Sequence, residues 1–285
     1  MTLRELLRDT VKKLFPVSGE SAPIEARELV SFVLGRRIGF SDGETGLSEE
    51  QTEALDALVE RRLAHEPLQY IIGEWDLMGL TFCVTPDVLI PRQDTEKLCE
   101  EAEALIRERA CRSLLDLCTG SGCIGIALAK RTGIETVLAD ISEAALAVAA
   151  ENAKQHGVTA RIVQSDLFSA FGGEKFDIIT VNPPYIPSEA VDALDEEVRR
   201  EPRLALDGGK DGLDIYRCLA VEYAAHLNEN GVLLTEIGFD QGESVPELFA
   251  GNADVKVMND DCGKPRVVII EPRSKRAEAD GESGC

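Results

Sequence analysis

The run Ser113-Leu114-Leu115-Asp116-Leu117-Cys118 passes directly into Thr119-Gly120-Ser121-Gly122-Cys123-Ile124-Gly125 and then into a helical stretch reaching Lys130. A short buried strand, a glycine turn and a helix start constrain this chain more than any other feature. Without a Cβ, the turn lets backbone N–H groups at the helix N-terminus approach a ligand closely. The turn matches G-x-G-x-x-G. Thr136-Val137-Leu138-Ala139-Asp140 reads as the next strand and ends in an acid twenty residues after Gly120, the spacing of a carboxylate that grips ribose hydroxyls. These two segments suit a nicotinamide cofactor as well as any other nucleoside.

The alternation continues downstream. A helix from Ser142 to His156 stops at Gly157, and strands follow at Ala160–Asp166 and Phe176–Val181. A further strand spans Gly231–Ile237, a helix runs around Ser244 to Phe249, and a last strand covers Arg266–Ile270. The pattern predicts an α/β fold over residues 96–272, a doubly wound, mostly parallel Rossmann-like sheet with its ligand at the carboxyl ends of the strands. Residues 1–75 read instead as a small helical domain. Thr2-x-x-Glu5 and Ser48-x-x-Gln51 are capping-box patterns, Pro16 closes the first helix, and a second runs from near Ser21 to Gly35. Between the domains, residues 76–95 place Leu80–Val84 and Val88–Ile90 around Thr85-Pro86-Asp87, which predicts a β-hairpin linker. Residues 273–285 have the composition of a disordered tail.

Asn182-Pro183-Pro184-Tyr185 ends the strand Phe176–Val181. Two prolines fix φ and remove two N–H donors, so the loop can neither become helix nor pair further, and its carbonyls stay available. An amide side chain, unbonded carbonyls and a flat ring at a rigid strand tip are equipment for holding a planar nitrogen. A plain strand-ending turn would use Asn and Pro equally well. Taken with Asp116 inside the first strand, however, the motif resembles S-adenosylmethionine-dependent methyltransferases that modify planar amino or amide nitrogens. That resemblance implies a cofactor site built from Asp116, from the turn residues Thr119, Gly120, Ser121, Gly122 and Gly125, and from Asp140. It adds Asp166 at the adenine amino group, with Leu167 and Asn182 as further cofactor-binding residues. By itself Asp166 would be an ordinary helix cap.

Further segments narrow the resemblance. Glu66–Gly73, Val88–Glu96, Glu201–Gly209, Glu236–Gly242 and Asp261–Val268 are similar, across essentially the whole chain, to the bacterial peptide chain release factor glutamine-N5 methyltransferases. Asp94-Thr95-Glu96 points to these rather than to the related ribosomal-protein glutamine methyltransferases. Gln93 departs from the family, which has proline there. The resemblance implies S-adenosylmethionine as cofactor and the glutamine of the Gly-Gly-Gln motif of class I release factors as substrate. It implies catalytic roles for Asn182, Pro183 and Tyr185, with Pro184 completing the acceptor site, and a helical domain that helps receive the protein substrate.

Charge weighs between the rivals. With 52 acidic against 30 basic residues the formal net charge is -22, a field that repels a phosphate backbone. Direct nucleic-acid binding is therefore disfavoured and a protein substrate fits better. A nucleic-acid amino methyltransferase, a nicotinamide oxidoreductase and an inert binding module remain as alternatives. The eight cysteines form no C-x-x-C pair and read as reduced, mostly buried thiols. With His65, His156 and His226 scattered, no metal is implied. No apolar run approaches the ~20 residues that span a bilayer, and the amino terminus lacks a signal peptide's apolar core. The expected location is cytoplasmic.

Overall fold

A computed structural model describes residues 2–39 and 46–273, so the expected tail lies, apart from Arg273, outside the described residues. The chain divides into two units, Met1–Glu74 with Asp195–Arg200, and Trp75–Leu194 with Glu201–Cys285. The first unit holds α1 (Leu3–Ser18), α2 (Ala22–Leu34), α3 (Glu49–Leu63) and the short α4 (Leu68–Ile72). Both capping boxes form, at Thr2 with Glu5 and at Ser48 with Gln51, each satisfying two orphan N–H groups. Leu3, Leu6 and Leu14 of α1 meet Leu29, Val30, Leu55 and Val59 in one core. Pro16 does not close α1. It sits in the last turn, where the ring removes a single backbone bond, and the helix ends at Gly19 with φ +51°.

Asp195–Arg200 joins this helical unit although it lies far along the chain. The buried Arg62 guanidinium donates to Glu25 at 2.7 and 3.2 Å and pairs with Glu197 at 2.8 Å. Arg200 donates to the Ala64 carbonyl. A buried cation is tolerable only when paired in this way. The segment's mixed charges carry no periodic signal from which this could be read.

In the second unit, β1 (Glu74–Leu77) and β2 (Leu80–Cys83) pair across Met78 and Gly79, whose φ values of 52° and 76° are the positive pair that a two-residue hairpin demands. The hairpin therefore sits earlier than the apolar pattern suggests, because the partner of β2 precedes it. Val88–Ile90 forms no strand; Pro86 and Pro91 flank it, and the Ile90 N–H donates instead to Glu201 Oε2 at 3.0 Å.

The main sheet follows α5 (Glu96–Arg109). Its elements are β3 (Ser113–Leu117), α6 (Cys123–Thr132), β4 (Glu135–Asp140), α7 (Glu143–His156), β5 (Ala160–Gln164) and β6 (Phe176–Val181). After these come α8 (Ser188–Val191), α9 (Asp214–Glu222), β7 (Leu227–Glu236), α10 (Ser244–Phe249), β8 (Ala253–Asn259) and β9 (Pro265–Pro272). Seven strands lie in the order β5-β4-β3-β6-β7-β9-β8, parallel from β5 to β7, with β9 antiparallel to both β7 and β8. This is the doubly wound, mostly parallel sheet expected. Alternate residues feed two separate cores: Leu114, Leu138 and Ile178 enter one, Leu115, Val137 and Ile179 the other. The strand order reverses between β3 and β6, the place where open α/β sheets bind ligands. Among the described residues no helix is long and apolar enough to cross a membrane.

Candidate active site

The glycine turn leaves β3 through Cys118, a non-glycine residue at φ +52°. Asp116 is fully buried beneath the turn. Its Oδ2 accepts from Thr119 Oγ1 at 2.5 Å and from the Gly125 N–H at 3.1 Å, and its Oδ1 accepts from Thr180 Oγ1 of β6 at 2.7 Å. One carboxylate thus ties the turn, the start of α6 and the neighbouring strand. Burial pushes it up to about 6 in spite of these three donors. Gly125 serves packing: a Cβ there would lie 2.3 Å from Leu138 Cδ2 and 3.1 Å from Asp116 Cβ. Gly122, at φ +81°, would set a Cβ 2.8 Å from Ile126. Asp116, Gly122 and Gly125 therefore support the turn from below, whereas Thr119, Gly120 and Ser121 line the cleft above it.

Asp140 ends β4 at the same edge. Its Oδ2 accepts from the Gly120 N–H and its Oδ1 from the Ser142 N–H, both at 2.9 Å, and burial raises its carboxyl above the usual range. Each oxygen has taken one donor and can take another, which suits a vicinal diol. Asp166 is exposed at the rim, and Leu167 beside it holds φ +45°. Such a conformation is worth of order 1–3 kcal/mol of strain in a non-glycine residue and persists only where its surroundings enforce it. Here Ser165 Oγ donates to the Leu167 carbonyl at 2.7 Å and accepts from the Ala170 N–H at 3.1 Å.

The Asn182–Tyr185 loop is clamped from behind. The Ile186 N–H donates to the Leu206 carbonyl at 3.0 Å, and the Gly208 N–H returns to the Ile186 carbonyl at 2.8 Å. Gln241 Nε2 donates to the carbonyls of Tyr185 and Gly212 at 3.2 and 3.1 Å. The fit is close enough that a Cβ on Gly208 would stand 2.7 Å from Pro184 O, and one on Gly212 2.2 Å from Tyr185 O. Asn182 and Pro184 reach the cleft wall. Pro183 is buried behind them, and Tyr185 packs half-buried against the core, where burial raises its phenol. Asn182 Nδ2 donates to Thr95 Oγ1 at 3.4 Å, while no described group donates to Asn182 Oδ1 or to the Pro183 carbonyl.

The cleft so formed opens at the carboxyl ends of the parallel strands, lined by these residues. Sequence reasoning missed part of its wall: Leu89, Arg92 and Thr95 from one segment, Ile141, and Leu204 and Ala205 from another. Both segments carried the family resemblance without a role. Their connection is Glu201, a buried acid that bonds Ile90 N and pairs with Arg92.

Behind Asn182 lies a second buried acid, Glu236 at the end of β7, which is 1% exposed. Its Oε2 has no hydrogen-bond partner. Burial pushes Glu236 up to about 7 from an ordinary 4.5, and Arg266, paired with Asp94 at 2.8 Å, stands near and opposes the shift. Between these values the folded chain keeps a proton that the unfolded chain releases. Its stabilising contribution is therefore complete below the lower value and lost as pH rises through the upper one. Against a Glu236→Gln reference, wild-type stability should fall by of order 3 kcal/mol between about pH 4 and pH 8. Denaturant unfolding at several pH values reads this difference, and parallel curves for the two proteins would refute it.

Among the described residues no cluster of three or more His, Cys, Asp or Glu could hold a metal ion. The thiols are less buried than expected: Cys99 and Cys123 are buried, but Cys218 and Cys262 are exposed.

The PrmC N-terminal domain family matches residues 5–73, and the Methyltransferase small domain family matches residues 99–210. The release factor glutamine methyltransferase of Geobacter sulfurreducens is 42% identical to this chain, over 94% of it and 95% of the relative. The enzyme of the same name from Escherichia coli K12 is 38% identical over 94% of this chain and 98% of its own. Among solved structures, the 16S rRNA N2 G1207 methyltransferase of T. thermophilus, in complex with AdoMet and guanosine, shares the fold. Its TM-score is 0.52, at 21% identity over 70% of this chain and 50% of that one.

Proposed function

We propose, for a chain that belongs to the family of release factor glutamine methyltransferases, transfer of the S-adenosylmethionine methyl group to N5 of the glutamine in the Gly-Gly-Gln motif of class I bacterial release factors. The observation that carries this reading is the pair of acceptors without donors at the tip of β6, Asn182 Oδ1 and the Pro183 carbonyl. An amide nitrogen is a poor nucleophile because its lone pair is delocalised. Hydrogen bonds from its two protons to these two oxygens hold it in line and favour positive charge developing on nitrogen. S-adenosylmethionine supplies an activated methyl on sulfonium sulfur; as the N–C bond forms the S–C bond breaks, and one amide proton leaves to water. Tyr185 steadies the loop from the core side rather than lining the cleft, and Pro184 contributes to the wall.

Asp140 would hold the ribose hydroxyls and Asp166 the adenine amino group, with the Thr119–Ser121 turn against the cofactor and Leu167 beside it. Asp116, Gly122 and Gly125 act through the shape of that turn. The acidic balance of the chain supports a protein substrate over a nucleic acid, and α1 to α4 would supply binding energy remote from the glutamine. Mass spectrometry of intact release factor after incubation with enzyme and cofactor tests the reading: a single added methyl on the motif glutamine is expected. Methyl transfer to DNA or RNA, with none to release factor, would overturn it.

Asp140→Ala should weaken cofactor binding at least tenfold, since hydrogen bonds to a charged group contribute roughly 1.5–3 kcal/mol. Saturating cofactor should restore much of the rate. Calorimetry measures the affinity directly, and an unchanged value would reduce Asp140 to a cap for Gly120 and Ser142.

A further inference from the structure

We infer that Gln241 is a positioning residue for methyl transfer, whose side-chain amide sets where the Pro183 carbonyl points by pinning the far end of the acceptor loop. The inference rests on the acceptor role just proposed for that carbonyl. Asn182 and Pro183 each precede a proline, which confines both to extended backbone, and the rings of Pro183 and Pro184 fix their own φ. The three residues therefore move as one stiff rod. Its direction is decided at its two ends. At the near end Val181 is held in the sheet between Leu117 and Thr235. At the far end stands the Tyr185–Ile186 peptide, whose N–H donates to the Leu206 carbonyl at 3.0 Å and whose C=O accepts from Gln241 Nε2 at 3.2 Å. Only the Pro184 ψ and the Tyr185 φ lie between the rod and this second anchor.

Gln241 can act in one orientation only. Its Oε1 accepts from the Gly238 N–H at 2.9 Å, and its Nε2 donates to the Tyr185 and Gly212 carbonyls at 3.2 and 3.1 Å. All three partners are backbone groups of fixed polarity, so a turned amide would set donor against donor and acceptor against acceptor. The residue is 6% exposed, too buried for water to mend such a mismatch. Its own backbone is tied as well: the N–H donates to the Gly238 carbonyl at 2.9 Å, and the carbonyl accepts from the Val245 N–H at 3.2 Å at the start of α10. One half of the amide thus closes the Gly238–Gln241 turn that follows β7, and the other half reaches across to the loop that follows β6.

The two halves have separable consequences. Closing the turn is local, and the backbone bond between Gln241 and Gly238 already serves it. Holding the loop is not duplicated, since among the described residues no other group donates to the Tyr185 carbonyl. The contact is close: a Cβ on Gly212 would stand 2.2 Å from Tyr185 O and 3.0 Å from Gln241 Nε2. Releasing the carbonyl frees the two soft joints and lets the rod swing about its β6 end. A reacting nitrogen misplaced by about 1 Å can cost ~100-fold in rate, so a small swing is enough. Gln241 does this without touching the substrate.

The test sets Gln241→Glu beside Gln241→Met in the full-length protein, with intact release factor as substrate, at about pH 9, where the introduced carboxyl is ionised. Glutamate keeps the acceptor for Gly238 but replaces attraction at the Tyr185 and Gly212 carbonyls by repulsion; methionine loses both halves. For both variants the turnover number should fall roughly tenfold or more against wild type at the same pH, with the KM for release factor and the affinity for S-adenosylmethionine within about twofold. If Gln241 only closes its own turn, Gln241→Glu turns over as wild type does while Gln241→Met is slowed, and the inference fails. An unslowed Gln241→Met also overturns it, as does a loss of rate that comes with an equal loss of cofactor affinity. Should neither variant fold, Gly212→Ala takes their place, because its methyl presses on the Tyr185 carbonyl with the Gln241 side chain intact. The same loss confined to turnover supports the inference there, and a wild-type rate overturns it. Failure of the wild-type enzyme to methylate intact release factor would instead reject the acceptor reading itself, before any variant is compared.

Discussion

Asn182→Ala should lower turnover ~100-fold or more while leaving the affinity for S-adenosylmethionine within about twofold. Asn182 lines the cleft at the tip of β6, across the β3 strand end from Asp140, and its side-chain oxygen has no donor among the described residues. An interaction of that kind is realised when the acceptor nitrogen gains charge, so its loss appears in the turnover number rather than in ground-state binding. The fold should survive, because the residue is only half-buried and its one hydrogen bond is long. Calorimetry and single-turnover methylation of release factor, on the same preparation, separate the two quantities. Lost cofactor affinity with turnover intact at saturation would assign Asn182 to the cofactor instead.

A larger effect is expected from the substrate side. Replacing the motif glutamine by glutamate sets carboxylate oxygens against Asn182 Oδ1 and the Pro183 carbonyl, so two attractions become two repulsions. A site built to hydrogen-bond a polar group rejects an analogue lacking it by ~10⁴ or more. The Gly-Gly-Glu release factor should be neither methylated nor, with the wild-type enzyme, an effective competitor, and mass spectrometry with a competition assay reads both. Efficient inhibition by it would mean that donors rather than acceptors face the amide.

The fold was legible where burial writes itself into local sequence. β3, β4 and β6 are covered on both faces and so read as near-continuous apolar runs. The glycine turn between β3 and α6 announces its own backbone. β8 was not legible, because an edge strand buries only some of its residues and Ala253–Asn259 alternates weakly. The hairpin was misplaced because Val88-Leu89-Ile90 is as apolar as a strand, and only Glu201, far along the chain, shows where the Ile90 N–H goes instead of into a ladder. For the site, the sequence named candidates but did not show how deep each would lie. Asp116 looked like a ligand, yet its second oxygen is taken by Thr180, 64 residues downstream. Thr95 fell inside a segment resembling the family, but its contact with Asn182, 87 residues away, exists only in the fold.

The clamp behind Asn182–Tyr185 also bears on the order in which the chain acquires its parts during synthesis. The Asp116 knot aside, the wall that would hold a nucleoside is local: β3, its turn, β4 and the Ser165–Leu167 bend lie in one contiguous stretch. The acceptor wall is not. Its loop emerges from the ribosome before Leu206, Gly208 and Gly212, which it rests on, and before Gln241, which holds the Tyr185 carbonyl. Domains fold from the amino terminus as they appear, and here the half that positions the methyl acceptor can set only after nearly the whole second unit has been made. The acceptor loop of a nascent chain that ends before Gln241 therefore lacks the donor that holds the Tyr185 carbonyl, and its shape is completed late in synthesis.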